Sequence, residues 1–320
     1  MLLAAAVLAV MQVGTSCGAE TIRIAAQKTG TLAWELAVIR SHGLDKKANL
    51  SIDIVELASP EAGKIALRAG TADVMVSDWP WVSRERSLGA KLQFYPYSSA
   101  LGAVMVPAPS PIKTLADLRG RKLAVAGGAI DKNWLLLQAS LKQDGIDLKS
   151  QSTIVYGAPP LLAAKALGGE MDAVLNYWNF CAALEAKGFR RLAGMEDVLK
   201  KLGTKGRIAM IGYVFNEAWA SAHRDMVARF IAMTRAAKEI LATSDAEWDV
   251  IAPLTGAPDA ATLHAYRDRY REGIPRRTVA EEEADARVLY RVLAQIGGRE
   301  LVGTAAELDP GTFYQANPGD

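Results

Sequence analysis

The chain has 320 residues, 50% of them hydrophobic and 22% charged, with a formal net charge of +2. That length supports about two domains with sizeable cores. The composition excludes a disordered chain, and the near-neutral charge gives no basis for a nucleic-acid partner.

Residues Leu2 to Val13 are apolar apart from Gln12, and no acidic residue precedes Glu20. The stretch is short for a membrane span. With small residues at Cys17-Gly18-Ala19, residues 1–19 read as a secretory signal peptide without its basic n-region, which points to a start further upstream. A lipid anchor on Cys17 is the lesser reading, because Gly14 stands where the lipoprotein signal carries Leu. Removal of this segment leaves Cys181 alone, unable to form an internal disulfide, and it reads as a small buried hydrophobe.

From Thr21 onward strands and helices alternate, which implies mostly parallel sheets. Strands are expected at 21–26, 51–57, 73–77 and 91–97, with helices at 32–42, after Pro60 and after Pro80. Leu101–Val106 is a further strand, and Pro107-Ala108-Pro109-Ser110-Pro111 is a stiff linker, read as the first crossover. The alternation restarts with strands at 122–126, 153–156, 172–175 and 190–193. Helices are expected at 131–144, from Pro159 to 168, and up to Lys187. Residues 208–215 read as the return crossover, followed by helices at 223–242, 246–252, 259–271 and 279–296. The chain divides as lobe one (20–108), lobe two (109–207), and a return crossover with C-terminal helices on lobe one (208–320). Two crossovers make a two-segment hinge suited to closure on a ligand.

A pattern recurs at a spacing of 99 residues: Gly70-Thr71-Ala72-Asp73 with Trp79, and Gly169-Glu170-Met171-Asp172 with Trp178. Each glycine reads as a helix stop and each aspartate as a strand start making local hydrogen bonds. Ligands of open α/β sheets bind beyond the strand carboxyl ends. The candidates there are Trp34, Asp78, Trp79 and Tyr97 in lobe one, with Lys28 and Thr29 near the first strand. In lobe two they are Asn133, Trp134, Tyr156, Asn176, Tyr177 and Trp178, with Asp131 nearby. Trp79 and Trp178 are expected to form facing aromatic walls, with Asp78, Asn133 and Asn176 supplying polar contacts to a small, planar solute. Gly127-Gly128 lacks the rest of a dinucleotide fingerprint, and Asp131 beside it disfavours an anion. The three histidines have no partner at metal-ligand spacing, so neither metal nor cofactor is expected.

Pro109 to Val125, with the two Gly-x-x-Asp copies and His223 to Phe230, resembles substrate-binding proteins of ABC importers. The branch resembled takes in receptors for aliphatic sulfonates, taurine, nitrate and thiamine pyrimidine precursors. The resemblance implies a type II periplasmic-binding-protein fold in the periplasm. It also implies monomeric action and delivery of solute to an ABC permease driven by a separate ATPase. Asn176-Tyr177-Trp178-Asn179-Phe180 is denser in aromatics than a sulfonate receptor needs. Some relatives are pyrimidine-synthesising enzymes with a cysteine-rich motif, which this chain lacks, so no enzymatic activity is expected. The alternatives are an accessory protein docking on a dehydrogenase or sensor, and, less favoured, an enzyme on the same scaffold.

Overall fold

The computed structural model describes residues 18–27 and 30–316. The signal segment through Cys17, and Lys28 and Thr29 among the candidates, lie outside the described residues.

Ten strands form two five-stranded sheets. The first is built from β1 (Glu20–Ala26), β2 (Leu50–Glu56), β3 (Val74–Asp78) and β4 (Leu92–Ser98). The second holds β5 (Ala103–Pro107), β6 (Lys122–Ala126), β7 (Thr153–Gly157), β8 (Ala173–Asn176) and β9 (Phe189–Gly194). The last strand, β10 (Ile211–Asn216), returns to the first sheet. The orders are β2-β1-β3-β10-β4 and β7-β6-β8-β5-β9. Each sheet therefore has the same plan, with one strand running against the others: β10 in the first and β5 in the second.

The first crossover falls earlier than the proline run. Leu101–Val106 reads in the sequence as the last strand of lobe one, but β5 pairs with β8 and β9 in the second sheet. The chain changes sheets between Ser98 and Ala103, through Ser99-Ala100-Leu101-Gly102. A Cβ on Gly102 would lie 1.9 Å from the carbonyl oxygen of Asn176, so only glycine lets the crossover pass this close to the end of β8.

The repeated aspartates do the same job in both halves. Asp73 accepts the backbone N–H of Arg23 at 2.8 Å, and Asp172 accepts that of Lys122 at 2.8 Å. Each carboxylate ties the start of one strand to its parallel neighbour, β3 to β1 and β8 to β6, across 50 residues of chain, rather than bonding locally as the sequence reading has it. Gly70 and Gly169 take left-handed backbone after their helices, at φ 68° and 73°.

The C-terminal helices pack on lobe one and also reach lobe two. Helix Ala260–Glu272 lies along helix Trp178–Ala186, and helix Val279–Val302 touches both Trp79–Ser87 and Lys132–Lys142. Cys181 is buried as expected, and burial pushes its thiol up to about 12.

Candidate ligand-binding cleft

A cavity of about 470 Å³ lies between the sheets, within the range of small-molecule sites. Lobe one contributes Gln27, Thr31 and Asp78. Lobe two contributes Asp131 to Asn133 and Tyr177 to Asn179. The two crossovers complete the lining through Ala100–Gly102 and Met210–Ile211. Walls from both halves and a lining made partly of hinge segments are what a closing cleft requires.

Two aspartates sit at equivalent points, each one residue before a helix. Asp78 ends β3, and its Oδ1 accepts the N–H of Trp81 at 2.8 Å, with Pro80 suited to the first turn. Its Oδ2 accepts from Lys132 Nζ, in the other lobe, at 3.0 Å. Asp131 caps helix Lys132–Lys142 through Oδ1, which accepts from Asn133 at 2.9 Å and Trp134 at 3.3 Å. Its Oδ2 accepts the Tyr177 hydroxyl at 3.0 Å. Gly127, at φ 88°, makes room for this bond, since a Cβ there would come within 2.9 Å of the Tyr177 oxygen and 3.0 Å of Asp131 Oδ2.

Burial raises the Asp131 carboxyl above its ordinary range, against the Tyr177 hydrogen bond and the Lys132 charge. Burial and the Asp131 charge raise the Tyr177 phenol. Burial alone would lower the Lys132 ammonium, but Asp78 and Asp131 outweigh it and the group is raised. Lys132 thus sits beside two acidic side chains, bonded to Asp78 and within reach of the Asp131 charge.

Of the residues expected at the site, Asp78, Asn133, Tyr177 and Trp178 line this cavity. Tyr97 stands behind it, donating its hydroxyl to Thr31 Oγ1 at 2.8 Å. Beneath the Tyr97 ring lies Lys238, 4.2 Å from its centroid and 2.6 Å from both carboxylate oxygens of buried Glu35. Trp34 backs Trp178 edge-on at 6.1 Å between centroids and donates to the Leu254 carbonyl at 3.1 Å.

The remaining expectations are corrected. Trp79 is fully buried, its ring 6.4 Å from that of Tyr290, because helix Val279–Val302 covers helix Trp79–Ser87. It forms no wall facing Trp178. Trp134 is also fully buried, in the packed face of its own helix. Asn176 is buried and fastens the end of β8: Nδ2 donates to the Pro159 carbonyl at 2.9 Å, and Oδ1 accepts the Tyr177 N–H at 2.8 Å. Tyr156 is exposed on edge strand β7 and does not line the cavity.

Gln27, Thr31, Lys132, Asn179, Met210 and Ile211 are lining residues that the sequence reading passes over. Lys132 had a usable signal, since it follows a helix-capping aspartate just as Trp79 follows Asp78. Met210 and Ile211 had none, because a crossover strand looks like any other apolar strand.

Two α/β halves of one plan, joined by two crossovers around a cavity, define the two-lobed periplasmic-binding-protein fold. The chain belongs to the NMT1/THI5 like family, which matches residues 36–246. A Haemophilus influenzae protein provisionally named for thiamine biosynthesis is 28% identical over 148 residues. That match covers 45% of this chain and 46% of the relative, so the chain spans about half the length of the curated relative it matches. The aliphatic sulphonate binding protein SsuA of Escherichia coli is similar in fold, with a TM-score of 0.73, 22% identity and 92% of each chain covered. SsuA of Xanthomonas axonopodis pv. citri, bound to MOPS, has a TM-score of 0.66 at 21% identity, covering 92% of this chain and 98% of that one. The desulfurization enzyme DSZB shares the fold too, with a TM-score of 0.63, 14% identity, and 92% and 96% covered.

Proposed function

We propose that this chain is a periplasmic solute receptor that closes on a small organic ligand and delivers it to an ABC permease with a separate ATPase. The observation that carries this reading is the cavity between the sheets, lined from both lobes and both crossovers by one chain. Trp178 and Tyr177 offer aromatic surface to a planar solute, while Asp78, Asn133, Asn179 and Thr31 offer polar contacts. Family membership and the binding-protein neighbours support it. Among the described residues no helix is long and apolar enough to cross a membrane.

A receptor is favoured over an enzyme on this scaffold by the cavity's own residues. Among the described residues lining it there is no histidine or cysteine, and the Cys181 thiol is buried with its sulfur 3.2 Å from the Asn176 carbonyl oxygen. Imidazole or thiol chemistry at this site would lack its usual groups.

The test is native mass spectrometry of the protein isolated from its own periplasm, followed by tryptophan fluorescence titration with the released solute. A one-to-one complex whose affinity collapses in Trp178→Ala is the expected result. Unchanged affinity in that variant would sink the pocket assignment, and turnover of the solute would sink the receptor reading.

A further inference from the structure

The charged side chains of the cleft bear on the sign of the solute it can take. Asp78 and Asp131 each cap a helix that starts at the cavity wall. A helix start is where an anionic ligand ordinarily finds free N–H groups and a favourable dipole. In one helix of each lobe that place is filled by the chain's own carboxylate.

The charge sum points the same way. Lys132 is the one cation among the described lining residues, and it is bonded to Asp78 at 3.0 Å. Among the described lining residues, two carboxylates and one ammonium leave a formal charge of −1. The surplus lies at Asp131, which accepts hydrogen bonds from uncharged donors, the Tyr177 hydroxyl and two backbone N–H groups, while the Lys132 ammonium acts on it only through space. Beside it stand Tyr177 and the half-buried Trp178. A carboxylate short of counter-charge, next to aromatic faces, suits a planar cation, which gains a charge-assisted hydrogen bond and a cation–π contact together. Helix Trp178–Ala186 has no side-chain cap, and its first N–H groups remain for an acceptor group on the same solute.

Resting on the receptor reading above, we propose that the cleft takes an organic cation. Its protonated amine or amidinium group is bonded to Asp131, and its planar body lies against Tyr177 and Trp178.

The experiment uses one ring with three charges: benzamidine (cation), benzamide (neutral) and benzoate (anion), each titrated by Trp fluorescence into the full chain cleared of solute by unfolding and refolding. Benzamidine is expected to bind at least about ten-fold more tightly than benzamide, with no saturable response to benzoate. Asp131→Asn, which keeps a helix cap, should remove the benzamidine preference while leaving the unfolding midpoint near wild type. Benzoate binding as tightly as benzamidine, or a preference that survives Asp131→Asn, overturns the proposal. If none of the three binds, the solute released from the periplasmic protein decides. A cation supports the proposal, and an anion overturns it while leaving the receptor reading intact. A protein that releases nothing and binds no probe overturns the receptor reading, and the cation with it.

Discussion

Lys132 and Asp78 join the two lobes across the cavity through an ion pair of 3.0 Å. Asp78 belongs to the first sheet and Lys132 to a helix of the second, so any opening of the cleft at this point must separate them. Both side chains are partly shielded, at 15% and 32% exposure, which makes the pair worth more than a surface bridge. Asp78→Asn keeps the helix cap but removes the charge. It should favour the open form by on the order of 1 kcal/mol, roughly a five-fold change in the closed-to-open ratio. Small-angle scattering of the solute-free protein would then show a larger radius of gyration for the variant. Raised salt should move the wild type the same way. Identical scattering curves for variant and wild type would remove the pair from the closing mechanism.

Trp79 and Trp178 occupy equivalent places in the repeat yet should behave oppositely. Trp79 is fully buried, so Trp79→Ala creates a cavity and should cost about 3–5 kcal/mol of stability. Trp178 is half-buried at the cavity, so its removal should cost less stability and abolish solute binding. Urea unfolding of the two variants, paired with titration of the released solute, separates the roles. A Trp79→Ala protein as stable as wild type but unable to bind would restore the facing-walls picture.

Most of the fold was legible because it rests on local signals. Gly70 and Gly169 stop helices, Pro60 and Pro159 start them, and β-branched runs mark the strands. The site was less legible because burial of a side chain depends on what covers it. Trp79 and Trp178 look alike in sequence. Only the packing of helix Val279–Val302, two hundred residues downstream in the chain, hides the first. The first crossover was misplaced for a related reason: the proline run is the stronger local signal, whereas β5 is assigned by its partners β8 and β9. Thr31 gains its place at the cavity from the Tyr97 hydroxyl, 66 residues away, a relationship that no spacing rule announces.

Glu35 and Lys238 form a buried ion pair beneath the cleft, with 2.6 Å from Nζ to each carboxylate oxygen. Tyr213 also donates to Glu35, and Lys238 lies over the Tyr97 ring. Burial lowers the Lys238 ammonium despite the Glu35 charge, so the pair is held by mutual neutralisation at a high desolvation cost. Lys238→Met leaves an uncompensated buried carboxylate and should cost about 3–5 kcal/mol. Glu35→Gln combined with Lys238→Met should cost less than Lys238→Met alone, because no unpaired charge remains. Urea denaturation of the single and double variants measures this coupling, and simple additivity of the two costs would show that the residues act independently.

Glu282 makes stability depend on pH at the second crossover. The side chain is buried, and its Oε2 accepts the N–H of Ala209 at 2.7 Å, next to the cavity residue Met210. Burial pushes its carboxyl up to about 7 from an ordinary 4.5, with Asp285 and Glu281 adding to the rise and Arg277 opposing it. An acid whose folded pKa is raised binds more protons folded than unfolded between those two values. Its contribution is therefore complete below about pH 4.5 and is lost as pH climbs through about 7, amounting to about 3 kcal/mol in all. Glu282→Gln keeps a carbonyl oxygen for Ala209 and removes the titration. The variant should match wild type near pH 5 and exceed it in stability at pH 8. Parallel urea unfolding at the two pH values checks the sign, and a wild type that gains stability on the variant between pH 5 and pH 8 would show that the Glu282 carboxylate is better satisfied than its surroundings imply.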